Sequence, residues 1–378
     1  MSCSTWSTSS PLNFKSHSHS SSCRSKRILL CNPRASSVIT DKAPSSDLPR
    51  LILHESLDAA GINTQHARAA REDFCSQIGR LTEINAESSI AISRGADLAK
   101  VALLIAAEDD SLASHSSVPL SVSSFIDNLD DLSMGFCSTY LPRSSAPPEI
   151  FLGNLERYLY VHKGFHRMDS ALDARSLYLH TTLTSRSGSL IMLSLIYSEV
   201  LKMLRISGFL NFDAEIYFPD ILQKSLPRGY DKKKSKISDE THIMTSKSLL
   251  VKILKDLKDA FWPFLYDPSS SLFLRAVHGK YAQHTGSFKF GDMHRALAAC
   301  ERLILLNADK KELRDYAVLL YHCGYYEDCI KYLTLFEEQE TENQTNPIKR
   351  LEDEAVKILK TRVNLILAQD GWSNSQSS

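Results

Sequence analysis

The chain has 378 residues, with 44 basic and 44 acidic side chains, 14 glycines and 13 prolines. This length allows two domains with cores of their own, and so few glycines and prolines argue against an all-β or loop-rich chain. No uninterrupted apolar run approaches the roughly 20 residues that cross a bilayer. The composition therefore predicts a soluble, mostly α-helical (α+β) protein without a membrane span.

The first 35 residues have the composition of a targeting segment. They carry five basic and no acidic side chains, and thirteen serines fall within the first forty residues. This composition resembles that of plastid transit peptides, with processing expected at 32–36. It predicts a chloroplast (stromal) location. A mitochondrial address and a plain disordered tail are the alternatives. Without the segment, acidic side chains outnumber basic ones by five, which gives no electrostatic reason to expect nucleic acid or an anionic membrane as partner.

The segment 36–63 is polar and predicts a disordered linker. Apolar residues then recur at helical spacing in several stretches, and Pro148 suits the first turn of one of these helices. The predicted helices are 67–81, 87–108, a stretch that opens at Pro119, and 149–160.

The stretch Leu183–Gly208 is apolar around most of a predicted helix. A helix with so small a polar face must be covered on most of its circumference, so the pattern predicts the central helix of the protein. Ser187 or Ser189 can cap its start by accepting a backbone N–H. Gly208 can end it in a left-handed conformation.

Three groups of residues stand out around this helix: Asp173-Ala174-Arg175-Ser176-Leu177-Tyr178-Leu179, Arg186-Ser187-Gly188, and Tyr197 with Glu199 and Val200. In these residues the sequence resembles the SirB-type proteins. Members of that family combine a transglutaminase-like domain with tetratricopeptide-like helices. The resemblance therefore implies a transglutaminase-like domain over 64–270, with its core block at 149–219, and helical repeats over 277–370.

In active transglutaminase-like enzymes, the start of the central helix presents a cysteine. Unpaired N–H groups and the helix dipole lower the pKa of such a thiol, and a histidine from the next strand deprotonates it. The resemblance places this nucleophile position at Leu190, and the predicted strand Phe212–Phe218 contains no histidine. The catalytic roles are therefore predicted to be vacant. Ser187 or Ser189 as a relocated nucleophile is the alternative to a simple N-cap.

Five cysteines remain outside the first 35 residues, without a C-x-x-C pair or a Cys/His cluster of metal-ligand spacing. They predict reduced and mostly buried thiols, and neither a metal nor a cofactor is predicted.

The C-terminal region repeats with a period of 33 residues, from Gly291 to Gly324 and from Ala296 to Cys329. This period resembles the tetratricopeptide repeat. Mapped onto the predicted helix 310–322, the resemblance implies a concave binding face formed by Lys311, Arg314, Val318, Tyr321 and His322. Such a face suits a protein partner that offers an acidic segment or a C-terminal carboxylate. The alternative is that the repeats dock on the first domain and leave no open groove.

Two further features each have two interpretations. The run Asp231–Lys236 could bind an anion, or could be a solvated loop. The aromatic cluster 261–268 could hold a ligand, or could pack at the domain junction. The sequence as a whole predicts a non-catalytic interaction, assembly or scaffold factor. The alternative is a cysteine- or serine-dependent acyltransferase or peptidase with relocated catalytic residues.

Overall fold

Helices account for nearly all of the secondary structure in the part of the chain that the structure describes. The computed structural model describes residues 51–83, 97–114, 118–140, 147–168, 174–212, 246–264, 267, 270–278, 291–339 and 347–375. In chain order the helices are α1 (Leu53–Ala59), α2 (Gln65–Glu83), α3 (Leu98–Ser114), α4 (Val122–Tyr140), α5 (Pro148–Glu156), α6 (Leu179–Ser185), α7 (Leu190–Ile206), α8 (Ser246–Phe261), α9 (Leu272–Val277), α10 (Gly291–Leu305), α11 (Lys311–Cys323), α12 (Tyr326–Glu338) and α13 (Pro347–Ser375). The predicted mostly helical fold is confirmed.

Four short elements of the described residues lie near α7 in sequence or in space. The π-helix Arg157–His162 continues α5, and Ala174–Leu177 forms a 3₁₀ turn before α6. Strand β1 (His166–Arg167) pairs in parallel with β2 (Ser187–Gly188), with His166 opposite Ser187. Since β2 ends where α7 begins, this two-stranded pairing fixes the direction from which the chain enters α7.

Several helix ends are set by local sequence. Pro148 occupies the first turn of α5, where a missing N–H costs nothing. Gly208 follows α7 with φ of +77°, and Gly324 follows α11 with φ of +86°. Both conformations favour glycine because it has no Cβ. The prediction that Gly208 ends the long helix in a left-handed conformation is confirmed.

Helix α3 holds the central place that the sequence assigns to α7. It packs against α2, α4, α6, α7, α8 and α10, and every residue from Leu98 to Asp109 except Lys100 is buried. Helix α7 packs against α3, α4 and α6 and leaves Ser194, Tyr197 and Ser198 half-buried. Helix α3 begins at Leu98, where the Asp97 side chain accepts the N–H of Lys100, and residues 87–96 of the predicted helix lie outside the described residues.

Part of the predicted linker 36–63 is helix α1, which corrects that prediction for its described residues. Leu53 and Leu57 are buried, and they lie one turn apart on the same face of the helix. The N–H of Leu53 donates to Glu301 Oε1 at 3.1 Å, and the N–H of Ile52 donates to Tyr316 Oη at 3.3 Å. This segment is ordered by partners about 250 residues away, which its local composition does not show.

The C-terminal helices pack onto the rest of the protein. Helix α10 contacts both α3 and α8, and α13 contacts α9, α11 and α12. The aromatic residues Phe261, Trp262 and Phe264 are buried, and Trp262 Nε1 donates to the Leu272 carbonyl at 3.0 Å. Their burial favours the packing interpretation of the aromatic cluster. All described residues belong to one compact unit, 36–378.

Some sequence predictions fall outside the described residues. These are the targeting segment 1–35 with its processing site, the start of the linker, Asp173, most of the predicted strand Phe212–Phe218, and the run Asp231–Lys236.

Candidate functional site

The start of α7 is the place where the resemblance puts a catalytic nucleophile. Ser189 is its N-cap, and its Oγ accepts the N–H of Met192 at 3.3 Å. The N–H of Ser189 itself donates to the Ser176 carbonyl at 2.9 Å. The predicted capping role of Ser189 is thus confirmed. Its hydroxyl oxygen is used to accept the Met192 N–H at the start of the helix.

The residue that follows, Leu190, begins the helix. A leucine side chain has neither a nucleophilic atom nor a proton to exchange, so the favourable field of the helix terminus acts on no reactive group there. Gly188 on the other side of Ser189 lies against Thr182 and is buried. Ser187, which was the other candidate hydroxyl, is also buried, and its Oγ has no hydrogen-bond partner.

The described cysteines are free thiols with raised pKa values. Burial raises the pKa of Cys323 to about 12, and burial together with Asp328 raises that of Cys329 to about 12. Burial also raises the pKa of Cys75, Cys137 and Cys300. A thiol attacks as its thiolate, so each of these five cysteines is held in its unreactive form near neutral pH.

Three of the described histidines have structural partners. His54 Nε2 lies 2.9 Å from Glu108 Oε1. His278 Nδ1 donates to the Leu274 carbonyl at 2.7 Å, and His322 Nε2 donates to the Ala276 carbonyl at 2.8 Å. His242, the histidine that follows the predicted strand in the chain, lies outside the described residues. The described contacts therefore give these rings roles in packing and capping.

Residues that carry the sequence resemblance hold helices together. Tyr178 Oη donates to Asp109 Oδ2 of α3 at 2.6 Å, and burial beside that carboxylate raises the pKa of Tyr178 well above its usual value. Glu199 is buried on α7 and accepts from Lys202 Nζ at 2.6 Å. Its carboxylate also accepts the N–H of Ala99 in the first turn of α3, and burial raises its pKa despite these bonds.

A buried ionic network joins α2, α3 and α10. Arg71 donates to Glu108 Oε1 at 2.6 Å and to Glu301 Oε2 at 2.8 Å. Arg302 lies 2.8 Å from Glu108 Oε2 and donates to Asp109 Oδ1 at 2.6 Å. Burial would raise the pKa of Glu108, but Arg302 and Arg71 outweigh burial and lower it well below its usual value. The carboxylate is therefore ionised inside the protein.

The network extends beyond these five residues at both ends. Tyr178 donates to Asp109 at one end, and Tyr316 Oη donates to Glu301 Oε1 at 2.7 Å at the other. It thereby connects the segment before α7 with α11, and the two guanidinium groups each bridge two carboxylates. Paired charges of this kind must be satisfied together, because one left alone in the interior is costly.

A second buried cluster lies between α8 and α11. Lys258 Nζ donates to Glu312 and, at 2.8 Å, to Asp315. Burial would lower the pKa of Lys258, but Asp315 and Glu312 outweigh burial and raise it. Its charge therefore remains, and it locks α8 against α11.

The predicted concave face on α11 is covered, which corrects that prediction. Arg314 and Val318 are buried. Arg314 Nη1 lies 2.8 Å from Glu352 of α13, and its guanidinium stacks 4.5 Å from the ring centroid of Phe273 in α9. Helices α9 and α13 thus occupy the side that a peptide would need.

The remaining three predicted residues do not restore a groove. Tyr321 and His322 are half-buried, and Lys311 alone is exposed. The His322 ring lies 4.5 Å from that of Phe264 and is bonded to the Ala276 carbonyl. The structure brings these five residues onto one helix but does not present them together to solvent.

Sequence reasoning missed the ionic networks. One signal was available: Glu108 and Asp109 follow directly on ten residues of α3 in which Lys100 alone is charged. Acidic side chains that interrupt an apolar stretch of a helix indicate a buried partner of opposite charge. That partner is Arg302, which lies 194 residues further along the chain than Glu108. Local sequence spacing therefore cannot identify it.

Within the described ranges, no group of three or more His, Cys, Asp or Glu side chains could hold a metal ion. In the same ranges, no helix is long and apolar enough to cross a membrane.

Comparison with known proteins identifies the segment around α7. Residues 123–207 match the family model Transglut_core2, which describes the transglutaminase-like superfamily. No curated protein and no solved structure matches the chain. The matched segment runs from α4 through α5, the two strands and α6 to the end of α7. The chain therefore contains a transglutaminase-like domain at residues 123–207.

Proposed function

We propose that this protein is a non-catalytic interaction or assembly factor built on a transglutaminase-like domain. One observation carries the proposal: the helix that would present the nucleophile begins with Leu190, while the neighbouring Ser189 hydroxyl is used as its N-cap. The helix terminus retains its field but has no group on which that field can act.

The other reactive side chains support the same proposal. Burial raises the pKa of the described thiols. Tyr178 and Glu199, which carry the resemblance, bond to α3. Residues that make such contacts stabilise the fold, and a fold with no reactive group at this helix terminus is suited to binding.

We also propose that the chain is a SirB-type member with tetratricopeptide-like helices. The hairpin of α11 and α12 supports this, because Gly324 ends α11 and buried Cys329 takes the position of the usual small residue on α12. The acid-free, serine-rich first 35 residues support import into chloroplasts. Residues 1–60 fused to a fluorescent reporter should enter plastids, and a reporter retained in the cytosol or found in mitochondria would contradict this.

The catalytic part of the proposal is tested with purified protein from Ser36 onward. We expect no glutamine–lysine crosslinking, deamidation or peptidase turnover above blank, and Ser189→Ala should only lower stability by about 1 kcal/mol through loss of the cap. Ser207→Ala is the matched control at the other end of α7, where no side-chain cap bond is made. Turnover that disappears with Ser189→Ala or with alkylation of one cysteine would establish an enzyme instead.

The interaction part is tested by affinity purification from stroma. The wild-type chain should retain a reproducible protein partner in near-stoichiometric amount. If nothing is enriched over an unrelated bait at matched expression, the assembly role is wrong.

A further inference from the structure

The outer side of α13 carries a stripe of exposed apolar side chains. Leu351 is 56%, Ile358 41% and Leu365 61% exposed, and each is seven residues from the next. At about 100° per residue, the three lie within about 40° of one another around the helix axis. We call these three residues the outer stripe.

The outer stripe borders the side by which α13 packs on its own chain, and its middle lies roughly 100° around the helix axis from the middle of that side. Ala355, Val356, Leu359 and Val363 are buried where α13 meets α9, α11 and α12. Packing within the chain already uses one apolar side of α13, so it does not account for a second row of apolar side chains at seven-residue spacing. This spacing supplies one of the two apolar positions per heptad that a seam between two helices uses, and contiguous exposed apolar surface marks an interaction site.

Two charges flank the outer stripe at equal distances from its middle. Glu354 precedes Ile358 by four residues and Arg362 follows it by four. Among the described residues, Glu354 makes no hydrogen bond or ion pair, and Arg362 donates from Nη1 to the Val277 carbonyl at 3.3 Å. Both side chains therefore retain charged groups that can reach another molecule.

We propose that the outer stripe is the contact surface for a second copy of this chain, packed antiparallel about a two-fold axis at Ile358. This inference goes beyond the proposed function and stands on its own observations. A two-fold interface must be self-complementary. The antiparallel arrangement sets Leu351 level with the partner's Leu365, Ile358 level with the partner's Ile358, and Glu354 level with the partner's Arg362.

The charges select this arrangement over the parallel one. In a parallel pair, each Glu354 would face the partner's Glu354 and each Arg362 the partner's Arg362, and like charges across a seam repel. In the antiparallel pair, each Glu354 lies level with the partner's Arg362, so both charged positions bring opposite charges together. Three apolar levels and two ion pairs are less than a standard stable interface, so the dimer is weak and forms reversibly with rising concentration.

The first test is sedimentation equilibrium of the full chain over a range of concentrations. Wild type should associate to a dimer, and Ile358→Glu, which sets two carboxylates against each other on the axis, should raise the dissociation constant roughly tenfold or more. Asn364→Glu is the matched control, because it adds the same charge to an exposed position of α13 about 120° away from the outer stripe. Wild type that stays monomeric, or an Ile358→Glu variant that dimerises like wild type, overturns the proposal.

The second test holds even if one variant weakens folding. Glu354→Arg and Arg362→Glu should each lose dimerisation, because each leaves two like-charged levels. An equal mixture of the two single variants should recover it as a heterodimer, since both levels then join opposite charges. Circular dichroism checks that every variant is folded. Single variants that dimerise alone, or a mixture that does not associate although both are folded, would show that the antiparallel pairing is wrong.

Discussion

Gly188 lies so close to Thr182 that a Cβ on the glycine would come within 2.3 Å of the threonine Oγ1 and 2.4 Å of its Cγ2. Thr182 is itself buried, and its Oγ1 donates to the Tyr178 carbonyl at 3.0 Å. The threonine therefore cannot rotate away without breaking that bond. The close contact holds α6 against β2 directly before α7 begins.

Replacing Gly188 by alanine should destabilise the protein. The added methyl group forces Thr182 and β2 apart, and overpacking of this kind costs about 1–3 kcal/mol. The free energy of unfolding in urea measures it. Gly153→Ala is the control, because a Cβ there meets nothing within 4 Å and alanine in a helix is favoured by about 0.5–1 kcal/mol. Equal stabilities of the two variants would contradict the close contact.

Removing the charge of Arg302 should cost far more than removing an exposed charge. Arg302→Met leaves Glu108 and Asp109 in the interior with one guanidinium fewer, and breaking a buried pair costs about 3–5 kcal/mol. Lys331→Met breaks an exposed pair with Asp328 and should cost less than about 1 kcal/mol. Thermal unfolding of the two variants side by side provides the comparison. Similar melting temperatures would mean that the network contributes little.

The ionised Glu108 should make stability depend on acid pH. Its pKa is lowered in the folded protein, so its contribution is fully present above its ordinary value of 4.5 and is lost as pH falls below it. Stability of the wild type should therefore decrease more steeply with falling pH than that of Glu108→Gln. Urea unfolding at several pH values between neutral and acid measures both slopes. Parallel slopes would mean that other carboxylates account for the acid sensitivity.

Charge reversal should distinguish the two cations of the predicted groove. Arg314→Glu sets a new carboxylate beside Glu352 and Asp315 in the interior, where an uncompensated charge is strongly destabilising. Lys311 is exposed, so Lys311→Glu should change the free energy of unfolding by no more than about 0.5 kcal/mol. Circular dichroism and thermal melting should show loss of the fold for the first variant alone. A stable Arg314→Glu protein would mean that Arg314 is accessible to solvent, as the predicted groove requires.

Features fixed by neighbouring residues were predictable from the sequence. Ser189 caps α7, Gly208 ends it, and Pro148 starts α5, because each depends on the conformation of one or two residues. The assignment of the nucleophile position to Leu190 rests on the resemblance and stays a prediction.

Features fixed by distant residues were not. Helix α1 is short and polar in sequence, and its burial depends on Glu301 and Tyr316. The predicted groove failed for the same reason, since the repeat pattern of α11 says nothing about α9 or about the ion pair with Glu352. The sequence predicts α7 as the central helix, whereas the structure has α3 in that position. The acidic residues of α3 contact arginines from two other helices, and the local sequence does not show these contacts.

The pairing of Glu108 with Arg302 also has a consequence for the order in which the chain acquires its structure. The two residues are 194 positions apart, and Leu53 is 248 positions from Glu301. Closing loops of this length must precede the gain from the contacts, which slows folding. On a ribosome, the carboxylates of α3 emerge long before α10 can neutralise them. The interior around α3 is therefore complete only after α10 has been synthesised, and a fragment that ends at residue 207 would keep Glu108 and Asp109 without Arg302.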